Sequence, residues 1–201
     1  ETTNEENIAS IRDSVAAAKA AGREVMVDCE HFFDGYKENA DFALACARAA
    51  YESGARWVVL CDTNGGTLPH EVEEIVTDVR RRTSAQIGLH FHNDGGCGVA
   101  NTLTGVRMGA TQVQGCVNGY GERTGNANLV SILPALQLKM GHECVPEDRL
   151  VRLTETAHFL DELLNLSPDP NQPYVGRNAF AHKGGMHVAG VNQDPRTFEH
   201  V

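Results

Sequence analysis

Two histidines separated by one residue are the strongest candidates for chemistry in this sequence. His90 and His92 stand at the end of an apolar run that begins at Ile87, and Asn93 and Asp94 follow them directly. Residues i and i+2 of a strand share one face, so both imidazoles are expected to point the same way. Two imidazoles at that spacing suit one divalent metal ion. The alternative is a pair of ordinary histidines on a half-buried strand, and the polar residues after the pair favour the metal site.

A glycine-rich segment supplies a third candidate ligand. Residues 118–128 read NGYGERTGNAN, and Asn126 stands near their end, just before a helical pattern. The glycines allow the backbone to approach a bound molecule closely, and the side-chain oxygen of an asparagine can bind a hard divalent ion. The segment does not match the GxGxxG pattern of dinucleotide-binding folds. Asn126 is therefore predicted to be either a helix cap or a metal ligand.

Further polar candidates lie at the ends of other apolar runs and in the tail. Glu30 follows one such run and is predicted to be either a general base or a solvated carboxylate. Asp62 and Thr63 offer a carboxylate and a hydroxyl, which suit a substrate carboxylate, a metal-bound water or the cap of the next helix. His182 and His187 stand in a glycine-containing stretch, and their residue type alone favours a surface or packing role.

The elements that must position these residues alternate along the chain. Short apolar runs follow alanine-rich helical patterns every 25–30 residues or so, roughly the length of one βα unit. Strands are predicted at residues 24–30, 57–63, 87–92 and 112–117, and helices near 5–21, 39–53, 69–82, 99–108 and 127–140. Each strand is apolar at its start and polar at its end. Because chemistry in (β/α) barrels occurs where the strands end, we expect the polar ends to share one rim.

The number of strands predicts a partial barrel. A closed barrel needs eight strands and about 250 residues, whereas four strands are found in these 201 residues. We therefore predict an α/β fold, namely the C-terminal half of a TIM (β/α)8 barrel in residues 1–145. Residues 146–201 are predicted to form a helix and a linker interrupted by a proline-containing loop. The first half of the barrel is expected to lie in a longer polypeptide or in a separate chain.

Composition excludes several classes of partner. The chain has 27 acidic residues against 17 Lys and Arg, a formal net charge of -10, which repels phosphate backbones and anionic lipid. We therefore expect neither nucleic-acid nor membrane partners, and no apolar run approaches the roughly 20 residues of a membrane span. The six cysteines include no CxxC pair. They are predicted to be reduced, buried thiols of a cytoplasmic protein.

Four segments, taken together, resemble one enzyme family. LCDTNGG (60–66), GLHFHND (88–94), NGYGERTGNANL (118–129) and NAFAHKGGMH (178–187) are similar to segments of 2-isopropylmalate, homocitrate and citramalate synthases. These are metal-dependent barrel enzymes related to hydroxymethylglutaryl-CoA lyase. The segment DCEHFFDGYKEN (28–39) most resembles the citramalate synthase branch. The resemblance extends in order over almost the whole chain, which makes it far more specific than any single motif.

The resemblance implies an acyltransferase that performs a Claisen-type condensation of acetyl-CoA with a small 2-oxo acid in branched-chain amino-acid biosynthesis. Pyruvate would give citramalate, on the route to isoleucine. It implies a divalent ion, Mg, Mn, Zn or Co, bound by His90 and His92, with Asn126 in or beside the coordination sphere. Thr63 would bind the carboxylate of the oxo acid, and Glu30 would shape the site or remove a proton. His187 in the tail would be a further catalytic residue. It would reach the active site of a neighbouring subunit, which implies a homodimer.

The chain departs from the family pattern at one position. The family's third protein ligand is an Asp beside an Arg, whereas Arg12 and Asp13 fall in a helical pattern here. Without that ligand the developing charge would be poorly compensated, so we expect this segment alone to be inactive. Two alternatives remain open: a 2-isopropylmalate synthase that uses 2-oxoisovalerate, and a non-catalytic module for metal binding or assembly.

Overall fold

The computed structural model describes residues 2–198. Across them, four strands form one parallel sheet in the order β1-β2-β3-β4. The strands span β1 Met26–Cys29, β2 Trp57–Asp62, β3 Ile87–Phe91 and β4 Gln112–Gln114. At least one helix precedes each strand in the chain, which confirms the predicted α/β fold of four βα units.

The helices between the strands begin and end close to the predicted positions. They span α1 Asn4–Ala20, α2 Phe32–Glu38, α3 Ala40–Glu52, α4 Pro69–Arg82 and α5 Gly98–Arg107. A capping box opens α1, because the Thr3 hydroxyl accepts from the Glu6 backbone N–H and the Glu6 carboxylate accepts from that of Thr3. Sequence analysis missed α2, since seven residues are too few for a clear helical period.

One face of the sheet packs against helices and forms the core of this part of the chain. Leu89 and Phe91 of β3 are fully buried there, and the Phe91 ring centroid lies 5.3 Å from that of Phe33 on α2. A Cβ on Gly105 of α5 would collide with the Leu89 side chain. The small residue therefore lets α5 lie directly on the strand.

The opposite face of the sheet, termed here the polar face, carries polar side chains on β1, β3 and β4 and apolar ones on β2. Successive residues of a strand alternate between faces, so His90 points away from the core-facing Leu89 and Phe91. His90 is in register with Gln114 of β4, and two residues earlier Gly88 is in register with Gln112. Asp28 of β1 shares this face, and its side chain meets that of Gln114 although β1 and β4 are the outer strands of the sheet. The sheet is therefore curved around its polar face.

The chain divides after Asn128, and the described residues from 129 to 198 form a second compact unit. Its helices span α6 Leu129–Pro134, α7 Glu147–Leu150, α8 Leu153–Leu163 and α9 Gly185–Gln193. The helix predicted over 127–140 changes to π-type geometry at residue 135, directly after Pro134, which has no N–H to donate. The single helix predicted after residue 146 is interrupted between α7 and α8. The domain boundary at 145 stays a prediction.

All six cysteines are free, as predicted, but their predicted burial is wrong for most of them. Cys61 is buried in the central strand β2, whereas four others are half-buried. Cys144 is exposed, because it lies in the segment between two helices rather than in the core. Within residues 2–198, no helix has the length and apolar character that a membrane crossing requires.

We expect the core of the first unit to depend strongly on Leu44. This α3 side chain is 0% exposed, so Leu44→Ala should lower the free energy of unfolding by about 2–5 kcal/mol through lost burial and a cavity. Leu68 provides the matched control, because its side chain is 46% exposed. Leu68→Ala should cost less than about 1 kcal/mol. Urea denaturation of both variants tests this, and equal losses would contradict the assigned core.

Candidate active site

Five residues predicted at the ends of the four strands gather at one edge of the sheet. Glu30 follows β1, Thr63 follows β2, His90 and His92 lie at the end of β3, and Asn126 lies in the loop after β4. The strands are parallel, so their carboxyl ends and the loops that follow lie at the same edge. The structure therefore brings together the five sequence-predicted site residues of the first unit.

The three predicted metal ligands are neighbours. The ring centroids of His90 and His92 lie 5.2 Å apart, and their planes are inclined by 41°. The backbone of His92 forms an isolated antiparallel bridge with that of Asn126. Directly opposed residues of an antiparallel pair have their side chains on the same face, so the bridge places the Asn126 side chain next to that of His92, although the two residues are distant in sequence.

Two buried polar atoms of this group are unpaired. His92 Nδ1 and Asn126 Oδ1 are buried and have no hydrogen-bond partner among the described residues. Asn126 Nδ2 donates to the Cys116 sulfur at 3.2 Å, which leaves the amide oxygen as the unpaired end. Leaving such atoms buried and unpaired is costly, so a cation that accepts their lone pairs would stabilise them.

The donor set fits a divalent ion. Two imidazoles and one amide oxygen form a mixed nitrogen and oxygen set of the kind that Zn²⁺, Mn²⁺ and Co²⁺ accept. No cluster of three or more His, Cys, Asp or Glu residues suited to a metal occurs between residues 2 and 198. Within this range the candidate site therefore depends on the amide of Asn126 as well as on the histidines.

The surroundings of His92 favour its neutral form. Burial lowers its pKa, and His90 and Arg123 lower that pKa further, whereas Asp94 and Glu30 act in the opposite direction. A histidine binds metal through the lone pair of a neutral ring. The lowered pKa therefore keeps this ring available as a ligand at neutral pH.

Thr63 connects the ends of β1 and β2. Its hydroxyl donates to Glu30 Oε2 at 2.8 Å and accepts from the backbone N–H of His31 at 2.8 Å. His31 is in the left-handed region, with φ of 54°, which is uncommon for a residue other than glycine. The one hydroxyl proton of Thr63 is thus committed to Glu30, and a substrate carboxylate would compete with Glu30 for it.

Asp62 stabilises the loop before α4. Its side chain is buried, and its two oxygens accept from the backbone N–H of Thr67 at 3.1 Å and from the Thr67 hydroxyl at 2.9 Å. Burial raises the pKa of Asp62, whereas the two bonds from Thr67 lower it. These contacts give Asp62 a structural role in the loop, but the predicted cap of the next helix is wrong for Asp62, because Leu68 is the N-cap residue of α4.

Arg123 fastens three loops of the rim to one another. It donates to both carboxylate oxygens of Asp94, at 2.7 and 2.8 Å, and its Nη2 also donates to the backbone oxygen of Thr63 at 2.7 Å. Bidentate pairs of this kind fix direction as well as distance. Sequence reasoning missed this pair, although opposite charges in two loops expected on one rim were a usable signal.

Glycine is required next to Asn126. Gly125 has φ of 95°, and a Cβ at this position would collide with the backbone oxygen of Gly119. The same oxygen accepts from the Asn126 N–H at 3.0 Å. A Cβ on Gly121 would crowd the amide of Asn126 as well. The glycines of this loop thus hold the amide in place through close backbone packing.

His187 belongs to the second unit, on α9. Its ring is stacked on that of Phe198, with centroids 4.9 Å apart, and lies 6.1 Å from the ring of His182. Phe198 also contacts His182, at 4.7 Å between centroids. Both tail histidines thus take part in one aromatic cluster, and the catalytic role of His187 stays a prediction.

Comparison with known proteins finds relatives across the whole chain. The HMGL-like family profile matches residues 1–159. An (R)-citramalate synthase from Aquifex aeolicus is 53% identical over 100% of this chain, and one from Synechocystis is 50% identical over 100%. A homocitrate synthase from Saccharolobus solfataricus is 36% identical over 98%. The chain spans 38% of the length of both citramalate synthases and 42% of the homocitrate synthase.

A solved structure supports the fold independently. The HMG-CoA lyase of Bacillus subtilis matches 85% of this chain with a TM-score of 0.70, and the match covers 60% of the lyase chain. Sequence identity is 24%, so this likeness concerns the fold alone. It confirms the predicted barrel-type arrangement of βα units.

We expect Gly125→Ala to weaken metal binding, because the new Cβ would push the Asn126 backbone away from Gly119. The affinity for Zn²⁺, measured by titration calorimetry, should fall about tenfold, a typical effect of disturbing the support of a ligand. Gly22→Ala is the matched control, since Gly22 has φ of 74° and no atom near its Cβ position. This variant should lose stability without losing affinity. Equal affinities in all three proteins would exclude Asn126 as a ligand.

Proposed function

Because the chain belongs to the HMGL-like family, we propose that it carries part of the active site of a metal-dependent citramalate synthase. The observation that carries the proposal is the histidine pair beside the buried, unpaired oxygen of Asn126, with Glu30 on the same rim. Pyruvate is proposed as the acceptor because relatives at 50% and 53% identity are named (R)-citramalate synthase. Formation of citramalate would be a step toward isoleucine.

A divalent ion fits the donors on this rim. His90, His92 and Asn126 would hold it, and Mg, Mn, Zn and Co are the candidates. When bound, such an ion supplies Lewis-acid chemistry that polarises the ketone of the 2-oxo acid and fixes its orientation.

The proposed reaction joins two carbon atoms. A base removes a proton from the methyl group of acetyl-CoA, and the resulting carbanion forms a bond to the keto carbon of pyruvate. The carbonyl electron pair moves to the keto oxygen, which takes up a proton. Water then cleaves the thioester and releases free CoA, the dicarboxylate citramalate and one proton.

Two side chains are assigned to the proton transfers. Glu30 orients or accepts a proton within the site, and its bond from Thr63 holds one carboxylate oxygen in a fixed direction. Thr63 is proposed to turn to the carboxylate of the oxo acid when that substrate binds. His187 is proposed to act as an acid or base in the site of a neighbouring subunit, which requires a homodimer.

Release of free CoA by the intact protein tests the proposal. With acetyl-CoA, pyruvate should support release at least about tenfold faster than 2-oxoisovalerate, and a chelator should abolish it. Glu30→Gln should lower kcat by about 10²-fold or more. Glu24 forms an exposed ion pair with Arg56, and the control variant Glu24→Gln should leave kcat unchanged. Faster release with 2-oxoisovalerate would show that this acid, rather than pyruvate, is the acceptor. If neither acid supports metal-dependent release of CoA, the proposal of a synthase is refuted.

His187 distinguishes an enzyme from an assembly module. We expect His187→Ala to lower kcat by about 10²-fold, as loss of a general acid or base does, with unchanged metal content. His158→Ala on the exposed surface of α8 is the control and should leave turnover unchanged. Turnover, metal analysis and sedimentation should be measured together. A change in subunit association with unaltered kcat would favour the assembly module.

A further inference from the structure

A line of side-chain hydrogen bonds crosses the polar face of the sheet and ends at His90. The amide nitrogen of Gln114 donates to Asp28 Oδ1 at 2.9 Å. The amide oxygen of Gln114 lies 2.7 Å from His90 Nδ1. Gln114 therefore joins a carboxylate on β1 to the imidazole on β3, and the three residues form what we term the Asp28 relay.

The chemistry of the three groups gives this line a direction. An ionised carboxylate only accepts hydrogen bonds, so Asp28 must face the NH₂ end of the Gln114 amide. The carbonyl end of the same amide then faces His90. Because a carbonyl oxygen also only accepts, the bond at 2.7 Å requires a proton on His90 Nδ1.

A proton on Nδ1 decides what the other ring nitrogen can do. A neutral imidazole carries one proton, so Nε2 of His90 keeps its lone pair. The second nitrogen of a metal-binding histidine is usually held in this way by an acceptor behind it, which fixes the tautomer and the orientation of the ring. In the Asp28 relay this acceptor is the neutral amide of Gln114. The charge of Asp28 sets which end of that amide faces His90.

Asn126 is oriented by the same principle. Its NH₂ group donates to the Cys116 sulfur at 3.2 Å, so its oxygen is the end that stays unpaired and buried. Both supporting contacts come from residues outside the candidate ligand set. The contact with Gln114 leaves the lone pair of His90 Nε2 free, and the contact with Cys116 leaves the oxygen of the Asn126 amide free.

The Asp28 relay contributes little to the stability of the fold, because Asp28 is exposed to solvent. Asp28 is exposed and lies on the outer strand β1, on the face opposite the packed core. An exposed hydrogen bond of this kind contributes little net free energy to folding. A role in orienting His90 accounts for the alignment of the three groups without requiring such a contribution.

We propose that Asp28 and Gln114 are positioning residues that hold His90 in the tautomer with the proton on Nδ1, leaving Nε2 free for a divalent ion. The proposal deepens the proposed function and rests on its metal site. It assigns roles to two side chains outside the set of candidate site residues.

The direction of the relay can be removed and then restored by substitution. In Asp28→Asn the amide at position 114 loses the charge that fixes it, so either of its ends can face His90. In Asp28→Asn/Gln114→Glu the new carboxylate at position 114 accepts from both neighbours and again demands a proton on His90 Nδ1. The double variant keeps the formal charge of the original protein and repeats the first substitution, so it controls for charge and for folding.

Two measurements on the intact protein test this prediction. Nitrogen-15 spectra of the metal-free protein, at a pH where the rings are neutral, should show His90 protonated on Nδ1. The signal should become a mixture of tautomers in Asp28→Asn and return in the double variant. Zn²⁺ affinity from calorimetry should fall about tenfold in Asp28→Asn, a typical effect of losing such support, and recover to within about threefold in the double variant.

The outcomes separate this inference from the proposed function. If His90 carries its proton on Nε2 in the original protein, or if Asp28→Asn changes neither the tautomer nor the affinity, the relay is refuted. If the double variant stays as weak as Asp28→Asn, the effect is structural and the relay is also refuted. If the original protein binds none of Mg²⁺, Mn²⁺, Zn²⁺ and Co²⁺, the proposed function fails, and the metal-free spectra still decide the tautomer.

Discussion

The parallel register of the strands is the constraint on which the site depends. Cys61, His90 and Gln114 occupy matching positions on three neighbouring strands, so the loops after these strands begin at the same edge. A shift of one residue in β3 would exchange the two faces of the strand and turn His90 toward the helices. The burial of Leu89 and Phe91 against α2 and α5 opposes such a shift. The apolar side of the strand thus determines where its polar side points.

The polar face of the sheet distinguishes this chain from an ordinary barrel interior. Such interiors are usually filled by layers of branched apolar side chains. Here Asp28, Gln112 and Gln114 occupy that face, and Gly88 leaves space that the Gln112 side chain fills. Polar groups placed there can direct hydrogen bonds toward the rim from below. The sheet therefore supports the candidate ligands as well as carrying them.

The loops of the rim depend on two physical devices. One is the bidentate contact between Arg123 and Asp94, which joins the loops after β3 and β4 and also reaches the end of β2 through the Thr63 carbonyl. The other is close backbone packing at Gly125, where only glycine fits. Exposed ion pairs contribute little to stability. These contacts matter because they fix the positions of side chains at the candidate site.

The sequence alone determined the βα order, the strands and the residues expected at the rim, because hydrophobic periods and glycine or proline signals act over a few neighbouring residues. The four motif segments were also enough to identify the family. Only the tertiary structure decided which side chains meet. The Thr63 hydroxyl is committed to Glu30, and the Gln114 amide bonds to Asp28, 86 residues away in the chain. Such pairings depend on register and sheet curvature, which arise when distant segments pack, so no local pattern encodes them.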